Sequence, residues 1–293
     1  MQERIESGRQ PSKPGQTPDM GRARYFFESL AEMGAWIERT PRTWACNDSV
    51  SAGAYTSWDL GAGYDSAVSM AKGGWMDGAQ RSQKALEALK ATVPEPRQRV
   101  DFVGFRPHVQ RQIAGDIKCM VRKVKVRADN GKGRVVTLIV PVNATAWVGA
   151  EAMANFGVAV AQYVNQMERQ RIRVEVIAAM TSKVSGWRVS ACVRIKHASQ
   201  PLDLAVMAFA IGHPAMFRRL GFAIRERCHA PMDTGYGRTV ATREDDVINA
   251  PQGAIVLNGM ADADEHARTP ADGVAYVTRT LDAARGLTAL GAA

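Results

Sequence analysis

Six cations crowd one short stretch of the chain: Arg122, Lys123, Lys125, Arg127, Lys132 and Arg134. The first four are interleaved with Val121, Val124 and Val126, the pattern of a strand with one face in water. Asp129-Asn130-Gly131 follows, and Asn-Gly supplies the positive φ angles of a tight hairpin. A basic ribbon over residues 121–142 is therefore expected. It suits phosphate oxygens, which give affinity without base readout. The alternative is a charged edge strand that merely resists edge-to-edge pairing. Arg106, Arg111 and Lys118 lie upstream and extend the patch. A second basic face is expected on the helix after Pro214. There Met216, Phe217, Leu220 and Ile224 mark the buried side, and Arg218, Arg219, Arg225 and Arg227 the other.

A different chemistry is on offer at Asn143-Ala144-Thr145-Ala146-Trp147, which follows the apolar run 135–142. If that run is a parallel strand, this corner lies at the carboxyl end of its sheet, where open α/β folds place ligands. Asn143, Thr145 and Trp147 are thus the candidate partner-binding residues. Other motifs carry little. There is no Walker-type phosphate loop, and Gly61-Ala62-Gly63 lacks both a third glycine and a preceding strand. The histidines show no metal-ligand spacing, and His213, between two helical stretches, is expected to cap or pack. Cys46, Cys119, Cys192 and Cys228 are far apart and are read as buried thiols. Cys228 and His229 are adjacent, so their side chains should diverge. No catalytic residue, metal ligand or cofactor is expected.

The corner needs elements to hold it. Residues 135–142 read as a strand, 149–169 as a helix and 171–178 as a second strand, together one βαβ unit. The helix carries its apolar stripe at Met153, Phe156, Val160, Val164 and Met167. A third strand is expected over 186–195, a helix over 202–211 with Asp203 in its first turn, and a buried strand over 253–258. Thr269-Pro270 should open a last helix. Upstream, Tyr25, Phe26, Leu30, Met33 and Ile37 recur at helical spacing from Arg22 onward, and further helices are expected over 64–71 and 76–92. Trp44, Trp58 and Trp75 read as core among these helices, with a groove lining as the alternative. Residues 101–105 read as a short strand, and Val109, Ile113 and Ile117 as a helical turn or two.

The chain has 293 residues, 46% of them hydrophobic and 23% charged, which argues against global disorder. Its net charge of +9 favours an acidic partner and says nothing about fold. No stretch approaches the about 20 apolar residues that span a bilayer, so no membrane partner is expected. Residues 1–21 are polar, with Pro11, Pro14 and Pro18, and read as a flexible lead-in. Residues 22–96 read as a small helical subdomain, 97–285 as the sheet domain, and 286–293 as a fraying end.

The order of elements after residue 134 resembles a von Willebrand factor A-type domain. In that family the corner is Asp-x-Ser-x-Ser and binds a divalent cation. Here it reads Asn143, Thr145 and Trp147, which implies a metal site stripped of its charge. Four stretches are similar to a family of uncharacterised tailed-phage proteins: residues 26–30 (FFESL), 74–78 (GWMDG), 113–120 (IAGDIKCM) and 213–222 (HPAMFRRLGF). That likeness implies a phage origin and the host cytoplasm or the virion as location. The expectation is thus an α/β protein with a three-layer, partly parallel, A-type sheet and a helical N-terminal subdomain. It is expected to be a non-enzymatic phage protein that binds nucleic-acid phosphates through Arg122, Lys123, Lys125 and Arg127, with Arg218 and Arg219 as a second face. Binding of a phage or host protein at Asn143, Thr145 and Trp147 is the alternative. A divalent-metal site rebuilt from Asp203, Asp262 or Asp264 is a third.

Overall fold

Alternation with period two sends Leu138, Val140, Val174, Val176 and Ala178 to one face of a sheet, and Ile139, Ile177 and Ala179 to the other. The computed structural model describes residues 1–9, 19–42, 56–92, 98–123, 135–169, 172–230 and 236–257. In chain order the elements are β1 (Gln2–Arg9), β2 (Asp19–Phe27), α1 (Leu30–Arg39), α2 (Thr56–Asp59), α3 (Tyr64–Gly73) and α4 (Met76–Thr92). Then come β3 (Gln98–Asp101), β4 (Arg106–Pro107), α5 (Val109–Ile113), β5 (Met120–Lys123), β6 (Val135–Pro141), α6 (Ala150–Arg169), β7 (Arg173–Val184) and β8 (Trp187–Lys196). The helix α7 (Leu204–Met207) runs on as a wide-turn π segment, Ala208–Gly212. A second, Met216–Gly221, leads into α8 (Phe222–Arg225), and β9 (Arg238–Thr239) and β10 (Ile255–Val256) follow.

The main sheet has the order β1-β2-β8-β7-β6-β10, with β9 paired to β7. Strands β10, β6 and β7 are parallel, β8 is antiparallel to β7, and β2 is parallel to β8. The expected βαβ unit is therefore present as β6, α6 and β7. Between β7 and β8 the chain turns on Ser185 and Gly186, both at positive φ (46° and 75°). That pair of angles is what a two-residue type I′ hairpin demands.

The start of the chain differs from expectation. Residues 2–9 and 19–27 are antiparallel strands that widen the sheet, where a flexible lead-in and the onset of a helix were expected. Tyr25 and Phe27 join the helix-side core and Phe26 the opposite cluster, so the aromatic run follows a strand's alternation. Ser29 then caps α1, accepting from the Glu32 N–H at 3.1 Å. Leu30, Met33, Trp36 and Ile37 share one core with the sheet, so the N-terminal helices are continuous with it.

One face of the sheet carries the helices. Among the described residues the other is covered by Val247 and Ile248 of the loop before β10. The helix expected over residues 270–284 lies outside the described residues, as do Trp44, Asn258 and 286–293. Helix α6 is buried almost all round, beyond the single stripe its sequence suggests, because α4 and the first π segment cover its outer side. Gly157 permits this: a Cβ there would stand 2.5 Å from the Gly212 Cα.

The basic ribbon is also rearranged. β5 pairs with β3 and β4 in a separate three-stranded sheet, whereas β6 pairs with β7 and β10. The two described arms thus lie in different sheets, and the turn between them falls outside the described residues. Replacing Gly157 with Ala is expected to destabilise the protein by about 1–3 kcal/mol through overpacking against the π segment. Thermal or urea unfolding measures this, and an unchanged midpoint would contradict the close crossing.

Candidate functional site

The carboxyl ends of β6 and β7 open into a cleft of about 440 Å³. Thr145 and Ala146 of the β6–α6 loop form one side, Arg238 and Thr239 of β9 another, and Trp58, Phe217, Phe222 and Tyr236 supply aromatic surface. Phe222 and Tyr236 are stacked, 3.8 Å between centroids and 5° from parallel. The Tyr236 hydroxyl donates to Glu226 at 2.7 Å, which fixes the ring.

Asn143 does not face this cleft as a ligand. It is buried and bolts three segments together: its Oδ1 accepts from the Thr181 N–H at 3.4 Å and its Nδ2 donates to the Val240 carbonyl at 3.3 Å. Thr145 lines the cleft, and Trp147 projects into water, 90% exposed. The corner expected as one binding unit is therefore split into a strut, a wall and an exposed ring.

Arg218 and Arg219 lie beneath the cleft, each 1% exposed, so they do not form the expected second phosphate-facing surface. Arg225 and Arg227 of the same face are buried too. The periodicity that would leave this face to solvent fails because α2 and the β6–α6 loop cover Arg218 and Arg219, while Arg225 donates to the Ala230 carbonyl and Arg227 to that of Thr40. Arg219 donates to Asp59 at 2.5 Å. Arg218 donates to three main-chain carbonyls, those of Trp58, Thr145 (3.1 Å) and Val148 (2.7 Å). Its guanidinium lies 5.1 Å from the Trp58 ring centroid. Burial lowers the Arg218 pKa from its ordinary value to about 10, partly opposed by the charge of Asp59.

The first proposed basic surface is only partly described. Arg122 is exposed and pairs loosely with Asp101 at 3.4 Å; Lys123 closes β5, while Lys125 and Arg127 lie outside the described residues. Residues the sequence did not single out stand beside Arg122. Phe102 and Phe105, between β3 and β4, are 56% and 57% exposed. Lys118 Nζ sits 5.0 Å from the Phe102 ring centroid, and the Arg106 guanidinium 5.6 Å from that of Phe105. Val109, Ile113 and Ile117 are exposed as well, so the periodicity that marks α5 marks no buried face. The signal for this surface is present in the sequence as apolar residues set between cations, a pattern that suits a short strand and a helical turn equally well.

The readings of His213, Cys192 and Cys228 stand, whereas Cys119 is only half-buried and Cys46 lies outside the described residues. His213 is buried, its Nδ1 accepts from the Ala215 N–H at 3.1 Å, and it meets Trp75 edge-on at 4.7 Å. The Cys228 thiol is buried with its pKa pushed up to about 11, chiefly by desolvation, and His229 turns outward to Glu3 at 3.0 Å. Asp203 caps α7 by accepting from the Ala205 and Val206 N–H groups. Asp262 and Asp264 lie outside the described residues, and no metal-ligating cluster occurs among those described. No described helix is long and apolar enough to cross a membrane.

The fold and site define an α/β protein with a mixed sheet and a cleft at the carboxyl ends of its parallel strands. More particularly, the chain belongs to the family described as Domain of unknown function (DUF7192), whose model matches residues 9–288. No curated protein and no solved structure matches the chain.

Two outcomes follow from these buried groups. Changing Asp59 to Ala leaves Arg219 without its carboxylate and is expected to destabilise by about 3–5 kcal/mol, read by urea unfolding. Burial lowers the His213 pKa from 6.5 to about 4, so below the unfolded value the unfolded chain binds the extra proton. His213 therefore contributes stability above pH 6.5 that is lost as the pH falls toward 4. His213→Asn should flatten this part of the unfolding free energy against pH; an unaltered slope would assign it to other groups.

Proposed function

We propose that the protein binds nucleic acid through the three-stranded sheet β3-β5-β4 and its loops, contacting phosphates with cations and stacking bases on exposed rings. The observation that carries this is the pairing of Phe102 with Lys118 and of Phe105 with Arg106, rings more than half exposed and each with a cation at its face. Residues 98–123 hold six cations, Arg99, Arg106, Arg111, Lys118, Arg122 and Lys123, against Asp101 and Asp116. Single strands suit such a surface best. Ring faces accept any base, and stacking contributes about 1–3 kcal/mol per base without sequence preference. Lys125 and Arg127 belong to the same proposal as a continuation of the basic run.

The A-type likeness is supported by element order: β6, α6, β7, β8, a helix pair and β10 succeed one another as that resemblance implies. Its charge-depleted corner fits a binding role better than metal chemistry. A phage origin, with the host cytoplasm or virion as location, rests on the four sequence stretches. A second reading, a phage or host protein bound at the corner, is favoured by Trp147, whose ring is almost wholly in water.

A mobility-shift assay with oligothymidylate at two salt concentrations tests the first reading. The wild type should bind, weakening steeply with salt. Phe102→Ala with Phe105→Ala should weaken binding by about tenfold or more at either salt concentration. Lys118→Glu with Arg122→Glu should weaken it and reduce the salt slope. Unchanged affinity in both variants removes this sheet from the account, and salt-tolerant protein capture lost in Trp147→Ala would favour the second reading.

A further inference from the structure

The cleft at the carboxyl ends of β6 and β7 combines features that neither reading above uses. Its volume of about 440 Å³ is that of a small-molecule site. Its surface offers a contiguous aromatic wall, in which Trp58 lies 6.0 Å from Phe222 and Phe222 stacks on Tyr236. Among the described residues the two charged groups that line it have one sign. Arg218 lines it and Arg238 stands exposed at its edge, while no carboxylate lines it among the described residues. Directly behind, Arg219 engages the carboxylate of Asp59 at 2.5 Å, with Arg218 beside it. Arg218 spends three of its five N–H donors on carbonyls, and carbonyl dipoles orient a guanidinium without cancelling its charge. A buried positive charge therefore acts on the cleft through a low-dielectric wall, where fields are screened least.

We infer that this cleft is a binding site for a small planar anion of the nucleoside monophosphate class, its ring against the aromatic wall and its phosphate at the exposed Arg238, with Arg218 acting through the wall. The aromatic wall alone would accept any flat apolar molecule; the one-signed charge selects among them for an anion. The surrounding structure is set before the ligand arrives. Thr145 and Val148 are tied to Arg218, Asn143 ties the loop to β7, and Tyr236 is held by Glu226. A preorganised site of this kind spends little of its affinity on ordering itself.

Isothermal titration of the full chain with adenosine monophosphate, and with adenosine as the uncharged control, tests this. Saturable binding of the monophosphate is expected in the micromolar to millimolar range, with adenosine at least about tenfold weaker. Two variants at exposed positions avoid the buried cluster, so folding is preserved and checked by the melting temperature. Arg238→Glu reverses the rim charge and should weaken the monophosphate by about tenfold or more while sparing adenosine. Ala146→Trp fills the mouth and should abolish binding of both. Absence of saturable binding by the wild type at millimolar monophosphate overturns the inference. So does equal affinity for adenosine and its monophosphate, or binding that survives Ala146→Trp. Phe102→Ala with Phe105→Ala, which tests the nucleic-acid surface, should leave monophosphate binding unchanged; its loss in that variant would assign the binding to the small sheet and overturn the cleft.

Discussion

The buried contact between Arg219 and Asp59, with Arg218 beside it, is the constraint on which the carboxyl edge of the sheet depends. Three segments distant in sequence meet there: α2 brings Asp59 and Trp58, the second π segment brings both arginines, and the β6–α6 loop brings the carbonyls of Thr145 and Val148. A charge removed from water is tolerated only when it is paired and hydrogen-bonded. These segments therefore stay where these bonds can be made, and the cleft takes its shape from that requirement. A comparable clamp works on the other face, where Arg188 grips Asp246 and carries Val247 and Ile248 onto the sheet.

The same chemistry divides the chain's basic excess into two populations. Among the described residues six cations are buried, Arg188, Lys196, Arg218, Arg219, Arg225 and Arg227, against three buried carboxylates, Asp59, Glu226 and Asp246. Part of the net charge of +9 is thus an internal matter of folding. What remains outside is concentrated where residues 98–123 place cations over exposed rings. Composition counts both populations alike, and for that reason net charge by itself is a poor guide to a binding face.

The sequence made the central βαβ unit legible, since 135–142 is apolar and β-branched and the following helix has a clear stripe. It also located the carboxyl edge, the helix start near Asp203 and the packed His213. It misplaced the start of the chain because Phe26 stands four residues before Leu30, a spacing that suits a helix and a strand equally. It misjudged Arg218 and Arg219 because one-dimensional periodicity sees only a helix's own faces, and α2 and the β6–α6 loop cover the second. It missed Phe102 and Phe105 because an apolar residue is expected inside unless something in the sequence says otherwise. Asn143 was recognised as important by position, yet its role is to brace Thr181 and Val240.

Amide hydrogen exchange with and without saturating oligothymidylate tests the central claim most directly, because it locates contact on the chain without any substitution. The account predicts new protection confined to residues 98–123 and their basic continuation, with 143–148 and 236–239 unchanged. Protection at the carboxyl-edge loops without any in 98–123 would contradict it and give the macromolecular site to the corner instead.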